Sequence, residues 1–326
     1  MLTGTDGAGA PGGRGGGGVQ AGGSLAIDAG QSGIKVRHAD AAGASEWAGP
    51  GIRTDLPLLP QLARVIEQSL EQDRAATTVG LGVSGLTDDV ADAGYLLAAA
   101  AAFGVRSVHL AHDSITAYLG ALGDERGAVV ASGTGVVTLA VGADEVARVD
   151  GWGYLIGDAG SGYWLGRAAL DAVMRAHDGR GEPTALTAVV AADFPDLERA
   201  YIDLQSDPER VGRIATYARP VADLAETDAV AAAIVEAAGR ELAASVVAGL
   251  RRVGEADAAA PRVRGIGGVF GGAVLARAFT AAVLEQVPTA DVRIGEAHPL
   301  DGAAALAGVD PTSALAVHIA TASSAG

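Results

Sequence analysis

Cysteine is absent from this sequence, and so is asparagine. Without thiols the chain can form no disulfide, no thiolate zinc site and no iron–sulfur cluster, and it has no cysteine nucleophile. Lys35 is the only lysine, so the basic residues are almost all arginine. Any task that other proteins give to asparagine or to a catalytic lysine must be carried by another residue here.

Positive charge is also scarce. The 326 residues include 23 Lys and Arg against 39 Asp and Glu, which gives a net charge of −16. An acidic surface argues against nucleic acid or an anionic membrane as the main partner. A local pocket can still bind a nucleotide through backbone N–H groups. The most apolar window, residues 95–105, is shorter than the about 20 residues that span a bilayer, so we expect no membrane partner.

Both ends of the chain lack the pattern of a folded element. Residues 1–23 are glycine-rich and cannot bury enough apolar surface to become ordered, which predicts a disordered leader. This stretch has neither the apolar centre of a signal peptide nor the Gly-Lys-Ser/Thr of a phosphate loop. We therefore expect a cytoplasmic protein. Residues 319–326 are predicted to be a disordered tail.

The first folded region is predicted over residues 24–119. Short apolar runs on both sides of the glycine-containing segment 28–33 predict a β-hairpin. Apolar residues at helical spacing over 58–70 predict a helix. Strands are expected at 77–83 and 107–110, with a helix over 89–103 between them, and Asp113 opens a further helix. This alternation is typical of an α/β layer.

The same pattern restarts in the second region, residues 120–318. Apolar strands at 127–131 and 136–141 flank a small-residue turn, Ser132-Gly133-Thr134-Gly135. Long alanine-rich helical stretches follow, including 227–253. A strand at 262–266 then leads into the glycine-rich segment 267–272, and a helix begins at Ala273. A strand near Val292 precedes the final helix. The repetition predicts two lobes of the same kind.

The two glycine turns suggest a phosphate site. Glycines expose backbone N–H groups, and two such turns facing each other across a cleft could hold a triphosphate. Asp28 at the first turn could hold Mg²⁺ through water. For either turn alone, the simpler interpretation is a hairpin that uses glycine for positive φ.

Three segments resemble the phosphate 1, phosphate 2 and adenosine motifs of the actin-like, sugar kinase and Hsp70 ATPase superfamily: 28–32 (DAGQS), 132–135 (SGTG) and 267–270 (GGVF). Residues 151–162 (GWGYLIGDAGSG) are similar to a signature of the BadF/BadG/BcrA/BcrD family, in the branch that includes N-acetylglucosamine kinase. The resemblance implies two actin-like (ribonuclease H-like) α/β lobes with a nucleotide cleft between them, and ATP and Mg²⁺ as cofactors.

The resemblance also implies roles for matching residues. Asp113 matches the catalytic base that accepts the proton of a sugar hydroxyl; from local sequence alone it is a helix N-cap. The nucleotide positions are Asp28, Gly30, Gln31, Ser32, Gly133, Thr134, Gly135, Gly267 and Gly268. The sugar positions, besides Asp113, are Ser84, Gly151, Trp152, Gly153 and Asp158. The local alternatives are a core aromatic for Trp152 and a turn former for Asp158.

Two segments depart from the family pattern. Family members commonly carry an asparagine in the loop that corresponds to residues 49–55, and this loop has none. Arg53, Thr54 or Asp55 could take its place, which leaves the exact sugar open. Asp150-Gly151 stands where two glycines are expected.

The function that this resemblance implies is ATP-dependent phosphorylation of an amino sugar, with N-acetylglucosamine and its 6-hydroxyl as the first choice. Glucosamine, N-acetylmuramic acid and a non-catalytic sugar sensor are the alternatives. An activator ATPase of the same family would need cysteine-ligated clusters, which this chain cannot form. The expected partners are the sugar and ATP, and a homodimer is compatible with the sequence.

Overall fold

The computed structural model describes residues 22–31, 33–53, 55–71, 75–295 and 297–324. Its strands are β1 (Ser24–Ala29), β2 (Ile34–Asp40), β3 (Gly43–Gly49), β4 (Thr78–Val83), β5 (Ser107–His112), β6 (Gly127–Ser132), β7 (Val136–Val141), β8 (Val146–Val149), β9 (Arg262–Ile266), β10 (Asp291–Ile294) and β11 (Ala320–Ser323). Its α-helices are α1 (Leu58–Leu70), α2 (Ala93–Ala100), α3 (Asp113–Leu122), α4 (Gly162–His177), α5 (Leu186–Asp193), α6 (Ala200–Ser206), α7 (Arg210–Ala215), α8 (Ala218–Leu224), α9 (Ala229–Arg252), α10 (Ala273–Gln286) and α11 (Pro299–Ala305).

Two β-sheets form the centres of two lobes. The first has the strand order β11-β5-β4-β1-β2-β3, and the second has the order β10-β9-β6-β7-β8. In each sheet an antiparallel hairpin, β1/β2 or β6/β7, is extended by a parallel strand, β4 or β9. The predicted repetition of one α/β unit is thereby confirmed.

Each sheet is covered by helices whose apolar faces match their sequence period. Helix α1 buries Leu58, Leu62, Ile66 and Leu70 in the core of the first lobe, and its bounds are those that the spacing predicts. In the second lobe the long helix α9 packs along α10. Gly239 permits this close approach, because a Cβ there would lie 2.9 Å from the backbone N of Phe279. Among the described residues, no helix is long and apolar enough to cross a membrane.

The C-terminal part of the chain returns to the first lobe. Helix α11 packs on α3, β1 and β4, and β11 pairs antiparallel with β5. The expected second-lobe range of 120–318 is therefore corrected, since 299–305 pack on the first sheet. The expected disorder of 319–326 is wrong for 320–323. A short Ala-Thr-Ala-Ser stretch carries little local strand signal, and the edge of β5 supplies its partner. The expected leader, 1–23, lies almost wholly outside the described residues.

Candidate active site

Asp113 and Ser84 lie side by side at the ends of two parallel strands. Strands β4 and β5 are in register, with Val83 opposite His112, so the next residue of each strand reaches the same edge of the sheet. The Ser84 hydroxyl donates a hydrogen bond to Oδ2 of Asp113. Two residues that the sequence separates by a whole helix are thus brought into direct contact.

The surroundings of Asp113 favour an ionised carboxylate. Burial alone would favour the neutral acid, but hydrogen bonds from His112, Ser84 and the backbone N–H of Ser114 hold the pKa of Asp113 below its usual value. Nδ1 of His112 lies 2.9 Å from Oδ1 of Asp113. An ionised carboxylate at neutral pH can accept a proton from a substrate hydroxyl.

Asp113 does not cap helix α3. The cap residue is His112, whose Nδ1 lies 3.1 Å from the backbone N of Ser114, and Asp113 is the first residue of the helix. When Nδ1 is unprotonated it accepts this N–H, and when it is protonated it donates to Asp113. The local alternative for Asp113, a helix N-cap, therefore does not describe its place in the structure.

Asp28 is the penultimate residue of strand β1 in the same lobe, opposite Lys35 of β2. Burial and the negative charge of Asp113 raise the pKa of Asp28 to about 6, while Lys35 opposes the shift. Two carboxylates thus influence each other across this part of the site, which makes it attractive to a cation. No group of three or more Asp, Glu or His side chains that could enclose a metal ion occurs in the described residues, so Mg²⁺ here would rely on Asp28, water and phosphate oxygens.

The first glycine turn is packed against the loop at 49–53. The backbone N–H of Gly30 donates to Gly33 (3.0 Å), and that of Ile52 donates to the Gly30 carbonyl (3.0 Å). Gly51 lies so close to Gln31 that a Cβ would overlap its carbonyl group. Gly30 and Gln31 are therefore packed closely against this loop. Ser32 falls outside the described residues.

The second glycine turn is anchored to the start of helix α4. The N–H of Gly162 donates to the Gly133 carbonyl at 2.7 Å, and the N–H of Tyr163 donates to the Thr134 carbonyl at 3.1 Å. Gly267 packs against the same turn; its φ is +99°, and a Cβ there would overlap the carbonyl of Ser132. Only glycine fits both constraints.

A cavity of about 530 Å³ opens beside this turn. It is lined by Gly133 and Thr134, by residues of α7 and α8, and by Gly268 with the start of α10. Its size is that of a small-molecule site. Two predicted nucleotide segments therefore meet around one cavity. The other predicted nucleotide positions that the structure describes do not line this cavity: Asp28, Gly30, Gln31, Gly135 and Gly267.

Asp150 organises the predicted sugar-binding loop. Its carboxylate accepts hydrogen bonds from the backbone N–H groups of Gly151 (2.8 Å), Asp158 (2.8 Å) and Ala159 (3.0 Å). Asp150 has φ +57°, a conformation that glycine adopts freely and that aspartate tolerates better than most residues. In the sequence, Asp150 is noticeable only as a departure from the family's glycine pattern. An aspartate followed by several glycines is the one local feature that could have indicated its role as an acceptor of loop N–H groups.

Asp158 closes the same loop. Its φ is +58°, and Oδ1 accepts the N–H of Gly153 at 3.2 Å. Burial and the nearby charge of Asp150 raise the pKa of Asp158, although the Gly153 N–H opposes them. Gly135 of the second turn lies so near that a Cβ there would be 2.7 Å from Oδ2 of Asp158. The sugar loop and the phosphate turn are therefore in contact, and Asp158 is a turn residue as well as a candidate ligand.

Trp152 is not a core aromatic, because 60% of its surface is exposed. The guanidinium of Arg148 lies 5.3 Å from the centre of its ring and also donates to the Gly151 carbonyl. An exposed ring held by a cation is suited to stack on the C–H face of a sugar. Arg148 was missed from the sequence, since nothing local marks it.

In the loop at 49–55, which lacks asparagine, the charged side chains of Arg53 and Asp55 pair with each other. Arg53 donates two hydrogen bonds to Asp55, and this pairing lowers the pKa of Asp55. The carboxylate is 64% exposed. Gln61 bridges the loop to α1 by accepting the N–H of Arg53 and donating to its carbonyl, each at 2.9 Å. Asp55 therefore has a partner already, and Thr54 lies outside the described residues.

Two α/β lobes of matching topology, each with a glycine turn in its central hairpin, define the actin-like class of fold. A structure of a candidate N-acetylglucosamine kinase from Chromobacterium violaceum superposes with a TM-score of 0.68 at 25% identity, over 88% of this chain and 99% of that chain. Residues 50–307 match the model of the BadF/BadG/BcrA/BcrD ATPase family, and the chain belongs to this family.

Two curated relatives are similar over shorter segments. An N-acetylmuramic acid/N-acetylglucosamine kinase of Clostridium acetobutylicum is 36% identical over 143 residues, which are 42% of this chain and 46% of the relative. An N-acetyl-D-glucosamine kinase of Dictyostelium discoideum is 41% identical over 86 residues, 26% of each chain. The matched segments thus span about half of one relative and a quarter of the other.

Proposed function

We propose that this protein is an ATP-dependent kinase that phosphorylates an amino sugar, with the 6-hydroxyl of N-acetylglucosamine as the first choice. The observation that carries the proposal is the environment of Asp113. This half-buried carboxylate is kept ionised by His112 and Ser84 at the edge of the sheet where the first glycine turn lies. Kinship with amino-sugar kinases supports the choice of substrate.

The reaction follows from these positions. The adenosine of ATP occupies the cavity beside Gly133 and Gly268, and its phosphates lie against the backbone N–H groups of the glycine turns. Asp113 accepts the hydroxyl proton of the sugar while that oxygen forms a bond to the γ-phosphorus and ADP leaves. When bound, Mg²⁺ neutralises phosphate charge, and Asp28 would hold it through water.

The loop at 150–158 supplies the sugar contacts in this proposal. Trp152 offers an exposed ring face, and Asp158 and Ser84 offer oxygens. Gly151 and Gly153, whose N–H groups donate to Asp150 and Asp158, shape the loop around the sugar. The pairing of Asp55 with Arg53 favours an acetylated sugar over glucosamine, because that carboxylate is not free to bind an ammonium group. A homodimer and a cytoplasmic location stay predictions of the sequence.

Sugar-dependent ADP release tests the proposal. We expect turnover with N-acetylglucosamine and a kcat/KM for glucosamine that is at least about tenfold lower. The phosphorylated position is read by NMR of the product. ATP binding without sugar-dependent ADP release would instead indicate a sensor. A preference for glucosamine would overturn the choice of substrate but not the kinase activity.

A further inference from the structure

The ring of His112 brings one nitrogen to three groups around Asp113. Nδ1 lies 2.9 Å from Oδ1 of Asp113, 2.9 Å from Oγ of Ser114 and 3.1 Å from the backbone N of Ser114. The Ser84 hydroxyl donates to the other carboxylate oxygen, Oδ2. The two oxygens of Asp113 therefore have different neighbours, and His112 acts on Oδ1.

Nδ1 of His112 cannot serve Ser114 and Asp113 at the same time. The backbone N–H of Ser114 needs an acceptor, so it requires an unprotonated Nδ1. The ionised carboxylate of Asp113 can only accept, so it requires a protonated Nδ1. A neutral ring that accepts the N–H of Ser114 leaves Oδ1 without a hydrogen bond from His112, whereas the charged ring donates to Oδ1. The protonation of one ring thus selects between two arrangements around Asp113.

The two arrangements differ in how well Asp113 accepts a proton. A hydrogen bond from a charged ring stabilises the ionised carboxylate, and by the same free energy it weakens the carboxylate as an acceptor of the sugar proton. The Ser84 hydroxyl favours the ionised form in both arrangements. The state with a neutral His112 is therefore the one in which Asp113 is the stronger base.

Capping of helix α3 does not by itself account for a histidine at this position. His112 has the extended backbone of an N-cap residue, but Asn, Asp, Ser and Thr are the side chains that proteins prefer there. The ring of His112 is 26% exposed, so it can exchange a proton with solvent. Histidine is also the side chain that ordinarily changes charge between about pH 5 and 8.

Other ionisable groups face the same region. The ones that line a cavity together with His112 are Asp88 after β4, Arg148 of β8 and His318 of the turn at 316–318. Asp88 and Arg148 carry opposite charges, whereas His318 can change its charge in the same pH range as His112. Asp28 interacts with Asp113 through its negative charge and has a pKa of about 6. A test must therefore separate His112 from His318 and from Asp28.

We propose that His112 is a positioning residue for Asp113 and makes the phosphorylation of the sugar sensitive to acid. The neutral ring caps α3 and leaves Oδ1 of Asp113 free to accept the proton of the sugar hydroxyl. The protonated ring donates to Oδ1 and suppresses this step. The inference rests on the proposed kinase function and concerns the regulation of the same site.

The test measures kcat/KM of the full-length protein between pH 5.5 and 7.5, with N-acetylglucosamine or the amino sugar that the wild type prefers. His112→Asn and His112→Ser supply side chains that cap a helix and take up no proton in this range. We expect kcat/KM of each variant, divided by that of the wild type, to rise at least about threefold from pH 7.5 to pH 5.5. This ratio cancels the titration of ATP and of Asp28, which occurs in all three proteins.

Two other histidines provide the controls. His109→Asn changes a histidine of the same strand that does not line the cavity, and His318→Asn changes the one that does. For both, the ratio to the wild type should not depend on pH. A pH-dependent ratio in His318→Asn but not in the His112 variants would assign the acid sensitivity to His318 and overturn the proposal.

The outcomes separate this inference from the proposed function. A ratio that stays constant with pH in both His112 variants would show that His112 only caps α3, which overturns the inference and leaves the kinase proposal intact. Loss of turnover in both variants at pH 7.5 would overturn it as well, because a capping side chain should replace the neutral ring. If the wild type releases no ADP in response to any amino sugar, both proposals are wrong.

Discussion

At the scale of single residues, Asp113 is the side chain on which the proposed chemistry depends. Asp113→Asn keeps the shape of the group but removes its ability to accept a proton. We expect kcat to fall about 10²–10⁴-fold, with ATP binding retained, as measured by coupled ADP release and nucleotide titration. Asp92→Asn is a matched control, because Asp92 caps helix α2 through the N–H of Tyr95 and touches no site residue. Turnover near the wild-type level in Asp113→Asn would make the proposed base wrong.

Asp28 gives a prediction about stability and pH. Its pKa is raised from 3.8 to about 6 in the folded protein, so the unfolded chain loses this proton first as pH rises. The stabilising effect of the neutral carboxyl is complete below about pH 4 and is lost as pH rises to about 6. Asp28→Asn should therefore increase the free energy of unfolding at pH 7.5 by up to about 3 kcal/mol, and by much less at pH 4.

Urea unfolding at the two pH values, without nucleotide or Mg²⁺, measures this difference. Asp171→Asn serves as the control, because Asp171 is exposed on α4. An equal effect of Asp28→Asn at both pH values would contradict the raised pKa.

At the scale of elements, the loop after β8 depends on one carboxylate. Asp150→Ala removes the acceptor of three backbone N–H groups and places alanine at φ +57°. We expect KM for the sugar to rise at least about tenfold while KM for ATP changes less, because the loop carries the proposed sugar contacts. Asp150→Asn should have a smaller effect. Asp144→Ala is the control, because Asp144 is exposed in the turn before β8, and it should change neither KM. Equal changes in the two KM values for Asp150→Ala would argue against a role of Asp150 in sugar binding.

Elements with local signals could be predicted, and those with distant partners could not. Helix α1 and the hairpins β1/β2 and β6/β7 follow from apolar spacing and glycine turns in their own segments. Helix α2 starts at Ala93 rather than near 89, because Asp92 is the residue that caps it. Strand β11 pairs with a strand that lies 212 residues earlier, Thr321 against His109, and its own residues do not indicate this.

The residues of the candidate site also fall into those that the sequence could indicate and those that it could not. Ser84 and Asp113 each stand at the end of a recognisable strand, so their meeting follows from the parallel pairing of β4 and β5. Asp150 accepts from backbone groups whose direction is set by five residues with positive φ in the segment 150–160, two of which are aspartates. Arg148 acquires its place only through the tertiary position of Trp152. Sequence patterns identify residues at the ends of strands and helices. A residue such as Arg148, which contacts a loop from a neighbouring strand, can be recognised only in the folded structure.

At the scale of the whole molecule, the chain passes from the first lobe to the second after α3 and returns through α11 and β11. Strand β11 covers the open edge of β5, and the C-terminal end of β5 leads directly into Asp113. Removing residues 319–326 should therefore destabilise the first lobe and weaken the site together. The deletion eliminates the pairing of four residues and the hydrogen bond from Ser324 to the Arg106 carbonyl (2.9 Å), and it exposes Val108 and Leu110 of the first core.

We expect this deletion to lower the free energy of unfolding by about 1–3 kcal/mol and to promote association through the newly open strand edge. Thermal unfolding, light scattering and sugar-dependent ADP release measure the three effects. Removal of residues 325 and 326 alone is the control, because it leaves β11 in place. If the longer deletion matches this control in stability and in activity, β11 contributes nothing to the lobe that holds Asp113, and the catalytic edge of the sheet is maintained by β4 and α3 alone.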